Sequence, residues 1–213
     1  MLFRSEVDLQ ALRRNVEAIV ANTTTHSVWA VVKADAYGHG AVECARVALD
    51  SGAIGLCVAL VDEGVALRRA GIAAPILVMS EQPPEQHRQL VSNGLIATVY
   101  NSESIESLGK IAEEMNIVCA VHLKVDTGMH RVGVSPSDAV ARAQEVLSEP
   151  WLSLDGVYSH LATADDASHN DVTESQVRSF AAVLNDLKDA GIEVEHRHLE
   201  NSAGALKIGR AHV

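Results

Sequence analysis

The sequence has 213 residues, of which 47% are hydrophobic and 21% charged, and its formal net charge is -11. These proportions are typical of a soluble globular protein with one sizeable core, and they exclude long disordered tracts. Nucleic acids and anionic membranes are bound through clustered lysines and arginines, so this acidic chain without such clusters is expected to bind neither.

The N-terminal segment and the cysteines indicate where the protein works. MLFRSEVDLQALRRN contains no apolar core before a small-residue cleavage site, and no stretch approaches the ~20 apolar residues of a membrane span. Cys44, Cys57 and Cys119 lie far apart without a CxxC spacing, which favours reduced, buried thiols over disulfides or a zinc site. We therefore expect a cytoplasmic protein.

The predicted elements alternate between helices and short apolar strands. A helix that starts near Asp8 repeats its apolar residues at helical spacing, and a strand over residues 27–34 follows it. Five helical patterns then end at a residue suited to the left-handed C′ position, and each stop precedes a run rich in Val, Ile and Leu. The stops are Gly52, Gly71, Gly94, Asn116 and Gly191. A helix over residues 137–147 precedes a further strand, 152–161.

Seven strands of this kind, with no linker between them, predict one domain over residues 1–213. Periodicity alone fits either an open doubly wound sheet or most of an eight-stranded barrel. Residues suited to chemistry follow several different strands, which favours a barrel, whereas an open sheet would gather them at one switch point. The predicted fold class is therefore α/β, a (β/α)8 TIM-like barrel that is incomplete, with about seven parallel strands.

Lys33 closes the apolar strand VWAVVK at the expected barrel mouth. A desolvated lysine has a lowered pKa, so its neutral amine can attack an aldehyde, although a single lysine at a strand end more often only extends to solvent. The segment VVKADAYGHG resembles the pyridoxal-phosphate lysine motif of the alanine racemase family. This resemblance implies that Lys33 holds the cofactor as a Schiff base and is the catalytic base on one face of the substrate, and that Tyr37 binds the phosphate. For His39 we expect packing within the turn.

The segment LKVDTGMHRVG closes the fifth predicted strand. Its alternation places His122, Lys124 and Asp126 on one face, toward the barrel interior, and the apolar residues on the other. The block resembles the DTGMxR segment of alanine racemases, which implies that Arg131 donates to the phenolic oxygen of the cofactor. Lys124 matches a lysine that is carbamylated in some members. A plain lysine paired with Asp126 or a neighbouring acid is the open alternative.

YSHLATADD ends the sixth predicted strand and matches the SHxATAD pattern of the same family. The resemblance implies that His160 lines the cofactor pocket. The two carboxylates that follow, Asp165 and Asp166, are expected to cap the next helix, because an aspartate there satisfies free backbone N–H groups.

HLENSAGALKIG resembles the ANSA segment of the family, with Glu200 where alanine is usual. The resemblance implies that Asn201 and Ser202 contact the cofactor phosphate. A carboxylate beside a phosphate is unfavourable, so strand alternation should turn Glu200 to the opposite face from Asn201.

A metal site is the less favoured interpretation of the histidines. His196 and His198 share one strand face, but no spacing matches HExxH or a Cys/His zinc motif, so no metal is expected. Trp29 and Trp151 are assigned to packing rather than to a ligand cage.

The resemblance extends along nearly the whole chain, in four motifs in the family's order. It implies the N-terminal pyridoxal-phosphate barrel of an enzyme that interconverts L-alanine and D-alanine for peptidoglycan, without the C-terminal β domain. That domain supplies the second base in the family, and none of Tyr37, Tyr100 and Tyr158 matches it, so the chain alone should be inactive or weakly active. The alternative is a single-domain, non-catalytic carrier of the cofactor. Open edges on the first and seventh strands predict a homodimer.

Overall fold

The computed structural model describes residues 6–23 and 27–207, so the last two residues of the HLENSAGALKIG motif, 208 and 209, lie outside them. The helices in the described residues are α1 Leu9–Asn22, α2 Lys33–Gly38, α3 Ala41–Asp50, α4 Val61–Arg69, α5 Pro84–Ser92, α6 Ser102–Met115, α7 Ala139–Ser148, α8 Asn170–Asp189 and α9 Ser202–Lys207. The strands are β1 Trp29–Val31, β2 Gly55–Val58, β3 Ile76–Val78, β4 Ala97–Val99, β5 Cys119–Lys124, β6 Leu152–Tyr158 and β7 His196–His198.

The strands are parallel and lie side by side in chain order. β1, β2 and β3 form one hydrogen-bonded segment, and β4 to β7 form a second. A single bridge between Leu77 and Ile96 joins the two segments. This unbroken order, with no reversal at a switch point, confirms the incomplete barrel and rules out the doubly wound sheet. Within the described residues, β1 and β7 do not pair with each other.

The predicted stops end the helices as expected. Gly52, Gly71, Gly94, Asn116 and Gly191 all have positive φ, between 55° and 102°. Each of them turns the chain from a helix into the next strand. At the other end, the carboxylate of Asp8 accepts the backbone N–H groups of Gln10 and Ala11 and thereby caps α1.

The first predicted strand was wrong in its length. It was placed at residues 27–34, but β1 ends at Val31, and Lys33 begins α2 instead of ending the strand. The N–H of Val32 still donates to the Cys57 carbonyl at 2.9 Å, so the ladder stops just before the lysine. The cause is an abrupt turn at Ala34, which the alternating apolar pattern does not reveal.

Two layers make up the core. Val121, Leu123 and Val125 are fully buried between the strands and the outer helices, as their parity predicted. On the inner face, His122 and Trp29 contact each other, with ring centroids 5.7 Å apart. Their neighbours in this layer are His196, His198 and Tyr158.

Glycine makes room for the large inner rings. A Cβ atom on Gly55 would lie 2.6 Å from the Trp29 ring, and one on Gly156 would lie 2.8 Å from the His122 ring. Trp29 and the half-buried Trp151 are therefore packing residues, as predicted. Cys44, Cys57 and Cys119 are free and buried. None of the helices in the described part of the chain combines the length and apolar character that a membrane crossing requires.

Candidate active site

Lys33 stands at the entrance to a left-handed turn. The four residues after it, from Ala34 to Tyr37, all have φ between 51° and 56° and ψ between 36° and 49°. For residues with a side chain this conformation costs about 1–2 kcal/mol each, and it persists only where the surroundings impose it. Such strain is concentrated at functional sites, so the turn marks the segment that follows Lys33.

Hydrogen bonds close the turn from within. The Ala36 N–H donates to the Val32 carbonyl at 2.9 Å, and the Gly40 N–H donates to the Asp35 carbonyl at 2.9 Å. The carboxylate of Asp35 also accepts the Ala41 N–H at 2.6 Å, which fixes the start of α3. His39 Nδ1 lies 2.8 Å from the Ala36 carbonyl, and this contact confirms its predicted packing role.

Three cationic side chains surround His160. Burial, and then the charges of Lys124, Arg131 and Lys33, lower the pKa of His160 to about 4. Lys33 is half-buried, and it lies near enough to the histidine with which it was grouped for its charge to act on that ring. Its Nζ lies 5.9 Å from the centre of the Tyr37 ring, and Tyr37 is 60% exposed at the rim.

A cleft at the ends of β5 and β6 connects the LKVDTGMHRVG and YSHLATADD motifs. It is lined by Lys124, Asp126, Met129, Arg131, Ser159 and His160. Asp126 Oδ1 accepts the N–H groups of Gly128, Met129 and His130 at 2.9 to 3.0 Å. These three bonds bend the DTGMHR loop back over its strand, and they are the main reason that the pKa of Asp126 lies below its usual value.

Lys124 is buried, with 5% of its surface exposed. Burial, and then the charge of Arg131, lower its pKa to about 7, against a smaller opposite effect of Asp126. Its Nζ lies 4.3 Å from the centre of the Tyr158 ring. The alternative prediction was an ion pair between Lys124 and Asp126. The structure does not show this pair, because Lys124 takes part in none of the ion pairs of the described residues.

The backbone at His160 is held by a residue that the motifs did not include. Gln176, buried on α8, donates from Nε2 to the His160 carbonyl at 2.9 Å and accepts the Ala162 N–H at 2.8 Å. Sequence reasoning missed it, since a glutamine within a helical pattern gives no signal. The Asp166 carboxylate accepts the Ser168 N–H, which confirms its predicted capping role.

Asn201 and Ser202 lie where β7 leads into α9. The Asn201 side chain donates to the Leu161 carbonyl at 3.2 Å and accepts the Gly204 N–H at 3.0 Å, so it joins the segment that follows β6 to the first turn of α9. Ser202 is exposed. Glu200 is exposed as well, but β7 ends at His198, so strand alternation is not what turns it outward.

His196 and His198 face inward, toward Trp29 and His122. Among the described residues, no three His, Cys, Asp or Glu side chains are placed to hold a metal ion.

Comparison with known proteins identifies the family. Residues 7–213 match the family described as "Alanine racemase, N-terminal domain". An alanine racemase of Symbiobacterium thermophilum is 40% identical over 208 residues, which are 98% of this chain and 55% of that protein. The chain thus spans about half the length of the curated relatives it matches.

Solved structures agree with this assignment. Alanine racemase from Bacillus anthracis with bound L-Ala-P superposes with a TM-score of 0.88 at 35% identity, covering 97% of this chain and 54% of that one. Histidine racemase from Leuconostoc mesenteroides gives a TM-score of 0.87 at 29% identity, covering 95% of this chain and 54% of that one. With a matching family, close relatives and a shared fold, the chain belongs to the alanine racemase N-terminal domain family.

Proposed function

We propose that this chain is the cofactor barrel of an alanine racemase, that it holds pyridoxal phosphate on Lys33, and that the whole enzyme interconverts L-alanine and D-alanine for peptidoglycan. The family supports the class of reaction, and the relatives named alanine racemase support the substrate. The observation that carries the proposal is that Lys124, Arg131 and His160 line one cleft, with Lys33 near enough for its charge to act on His160.

The charge of this pocket fits an anionic cofactor. Arg131 lines the cleft and Lys33 lies near it, and both act on His160 with a positive charge, while the nearby Asp126 carboxylate is already engaged by three backbone N–H groups. A phosphate and a phenolic oxygen are favoured in such a positive field. Because the pKa of His160 is about 4, its ring is neutral near pH 7 and adds no further positive charge.

Each residue has a distinct proposed role. When bound, pyridoxal phosphate supplies an aldehyde for a lysine amine and a ring that withdraws electrons from the substrate α-carbon. The Arg131 guanidinium would donate to the phenolic oxygen. The Tyr37 hydroxyl, Asn201 and Ser202 would bind the phosphate. Lys33 Nζ would take up and return the α-proton on one face of the substrate.

Lys124 is suited to carbamylation because burial beside Arg131 lowers its pKa to about 7. A neutral amine can attack the carbon of CO2, forming an N–C bond and releasing one proton from nitrogen. The product is an anion, which would attract Arg131 where the ammonium repels it. Protein equilibrated with ¹³C-labelled CO2 should therefore show a carbamate carbon signal that Lys124→Met abolishes. An unchanged signal in that variant would exclude Lys124 as the modified residue.

Racemisation needs a second proton donor, because Lys33 serves one face only. Tyr158 is not available for this, since its hydroxyl donates to the Met79 carbonyl at 2.8 Å and is buried in the barrel. We therefore propose that the 213-residue chain alone is inactive or weakly active as a racemase.

The test is covalent capture of the cofactor. Protein mixed with pyridoxal phosphate should absorb as a lysine-linked form, and borohydride should fix the cofactor mass on the peptide that contains Lys33. Lys110→Ala, at an exposed lysine on α6, should behave as wild type, whereas Lys33→Ala should lose the label. Absence of the label, or labelling of another lysine alone, would contradict the proposal.

Substrate chemistry separates the racemase from a carrier. In D2O, the loaded protein should exchange the α-hydrogen of L-alanine faster than it forms D-alanine. L-histidine is the comparison, because a histidine racemase shares the fold. Cofactor retained on Lys33 without exchange on either amino acid would favour the carrier.

We further propose that two copies associate and that the protein works in the cytoplasm. The unpaired β1 and β7 of the described chain and the exposed Val31, Tyr37 and Leu60 support association. Three free, buried cysteines suit a reducing compartment. Light scattering that gives the mass of one chain would exclude the dimer.

A further inference from the structure

Glu63 joins the Lys33 turn to the neighbouring strand. Its Oε1 accepts the Ala34 N–H at 2.6 Å, across 29 residues of sequence. Its Oε2 accepts the N–H groups of Ala59 and Leu60 at 2.8 and 3.0 Å, where β2 leads into α4. One carboxylate therefore holds both the residue after Lys33 and the end of β2.

Two of these three bonds have an ordinary explanation. A glutamate in the first turn of a helix commonly accepts the N–H groups just before that helix, and α4 gains such a cap from Glu63. The bond to Ala34 does not belong to this cap, because Ala34 lies in another βα unit and begins the left-handed turn.

The place of this bond gives it a consequence for Lys33. Ala34 is the first of four residues held at positive φ, so the backbone direction at Lys33 depends on what fixes Ala34. Within the described residues, the Val32 N–H donates to the Cys57 carbonyl of β2 just before Lys33, and the other bonds of the turn run between Val32 and Ala41 and are local. The carboxylate of Glu63 ties the start of the turn to β2, which is the neighbour of β1 in the barrel wall.

We propose that Glu63 is a positioning residue for Lys33: its carboxylate fixes the Ala34 N–H and thereby aims the lysine amine into the pocket of Arg131 and His160. This inference rests on the proposed function, in which Lys33 carries the cofactor. In this proposal Glu63 acts through the Ala34 backbone and not on the cofactor or the substrate.

Glu81 provides a matched control. Its Oε1 accepts the N–H groups of Tyr100 and Asn101 at 2.6 and 2.8 Å, so it too joins one βα unit to the next. That junction lies after β4 and includes no residue of the Lys33 turn. Both oxygens of Glu81 are engaged as well, because Oε2 accepts the side-chain N–H of Asn101. Glu63→Gln and Glu81→Gln therefore each replace one accepting oxygen with an NH2 group that cannot accept.

The experiment titrates the 213-residue protein with pyridoxal phosphate and follows the absorbance of the lysine-linked form, with borohydride labelling of Lys33 and thermal unfolding in parallel. Loss of one charge-assisted hydrogen bond predicts about tenfold weaker apparent affinity and slower labelling in Glu63→Gln. Glu81→Gln should stay within about twofold of wild type at a similar loss of thermal stability. Equal effects of the two variants on affinity, or none, would overturn the proposal.

Failure of the underlying function gives a different result. If wild type is not labelled at Lys33, the proposed function is refuted and this inference with it, whatever the variants do. If Glu63→Gln does not fold, amide hydrogen exchange of wild type replaces it. The Ala34 amide should then exchange as slowly as the Asn101 amide, and more slowly once the cofactor is bound. A fast-exchanging Ala34 amide would overturn the proposal.

Discussion

The Nζ atom of Lys124 lies over the face of the Tyr158 ring, 4.3 Å from its centre, and the hydroxyl of the same tyrosine donates to the Met79 carbonyl. The ring thus supports the lysine on its face while its hydroxyl is fixed to the end of β3. Thr98 Oγ1 lies 2.8 Å from that hydroxyl, so the site of Lys124 is tied to β3 and β4.

Stability should rise with pH because of Lys124. Its pKa is lowered to about 7 in the folded protein, while the unfolded chain keeps a lysine pKa of about 10.4. Between these values the unfolded state binds the extra proton, so raising the pH favours folding, by at most about 1.4 kcal/mol per unit. Urea unfolding from pH 7 to 10 in CO2-free buffer measures this slope. Lys124→Met should reduce it, and an equal slope in both proteins would contradict the lowered pKa.

Tyr158→Phe should destabilise the protein without removing the support under Lys124. The change removes the bond to the Met79 carbonyl but keeps the ring, so we expect a loss of about 1–2 kcal/mol in the free energy of unfolding. The pH slope assigned to Lys124 should persist in this variant. Tyr158→Leu is the comparison, because it removes the ring as well and should change that slope.

His122→Leu should stabilise the protein in mild acid. His122 is fully buried, neither of its ring nitrogens has a hydrogen-bond partner among the described residues, and its pKa is lowered to about 2, first by burial and then by His198 and His196. In the unfolded chain His122 is protonated below about pH 6.5, whereas in the folded protein it stays neutral. The free energy of unfolding therefore falls as the pH drops below that value. The leucine removes this effect, and unfolding at pH 5 against pH 7 measures it.

His87→Leu is the matched control for that variant. His87 is equally buried, but its nitrogens lie 2.9 Å from Ser107 Oγ and 3.0 Å from the Gln82 carbonyl. Its replacement should cost about 1–3 kcal/mol, since it leaves partners unsatisfied. An equal loss in the free energy of unfolding for both leucine variants would contradict the claim that the unpartnered His122 ring destabilises the fold.

Ala34→Gly should stabilise the fold, although alanine to glycine usually does the reverse. Ala34 has φ of 51°, where glycine relieves the strain of a side chain, and we expect a gain of about 1 kcal/mol. Ala18→Gly, at an exposed position within α1, should lose about 1 kcal/mol. Chemical denaturation of the two variants compares them, and equal losses would show that the turn is unstrained.

Local rules predict much of this fold from sequence. The stops from Gly52 to Gly191 predict helix ends because positive φ favours glycine and asparagine, and the alternation around Lys124 predicts which side chains face inward. The left-handed turn escapes such rules, because ADAY has no glycine until Gly38 and its conformation is imposed by contacts made far along the chain.

The candidate site, like the fold, can be predicted from the sequence only in part. Motifs point to Lys33, Arg131 and His160, whose proximity the structure then supplies. They give no sign of Glu63 or Gln176, since both act on backbone atoms of residues distant in sequence. For Tyr158, its strand position indicates burial but not the bond to Met79, which depends on how strands three places apart curve toward each other.

Burial also sets the reactivity of the thiols. The pKa values of Cys57 and Cys119 are raised to about 12 by burial, so a maleimide, which needs an exposed thiolate, can react only with molecules that have opened. Cys57 lies on β2 and Cys119 on β5, one in each hydrogen-bonded segment of the wall. The alkylation rate of each thiol therefore measures how often its own segment opens. Different alkylation rates would show that the two segments open independently, although the Leu77–Ile96 bridge and the Tyr158–Met79 bond join them.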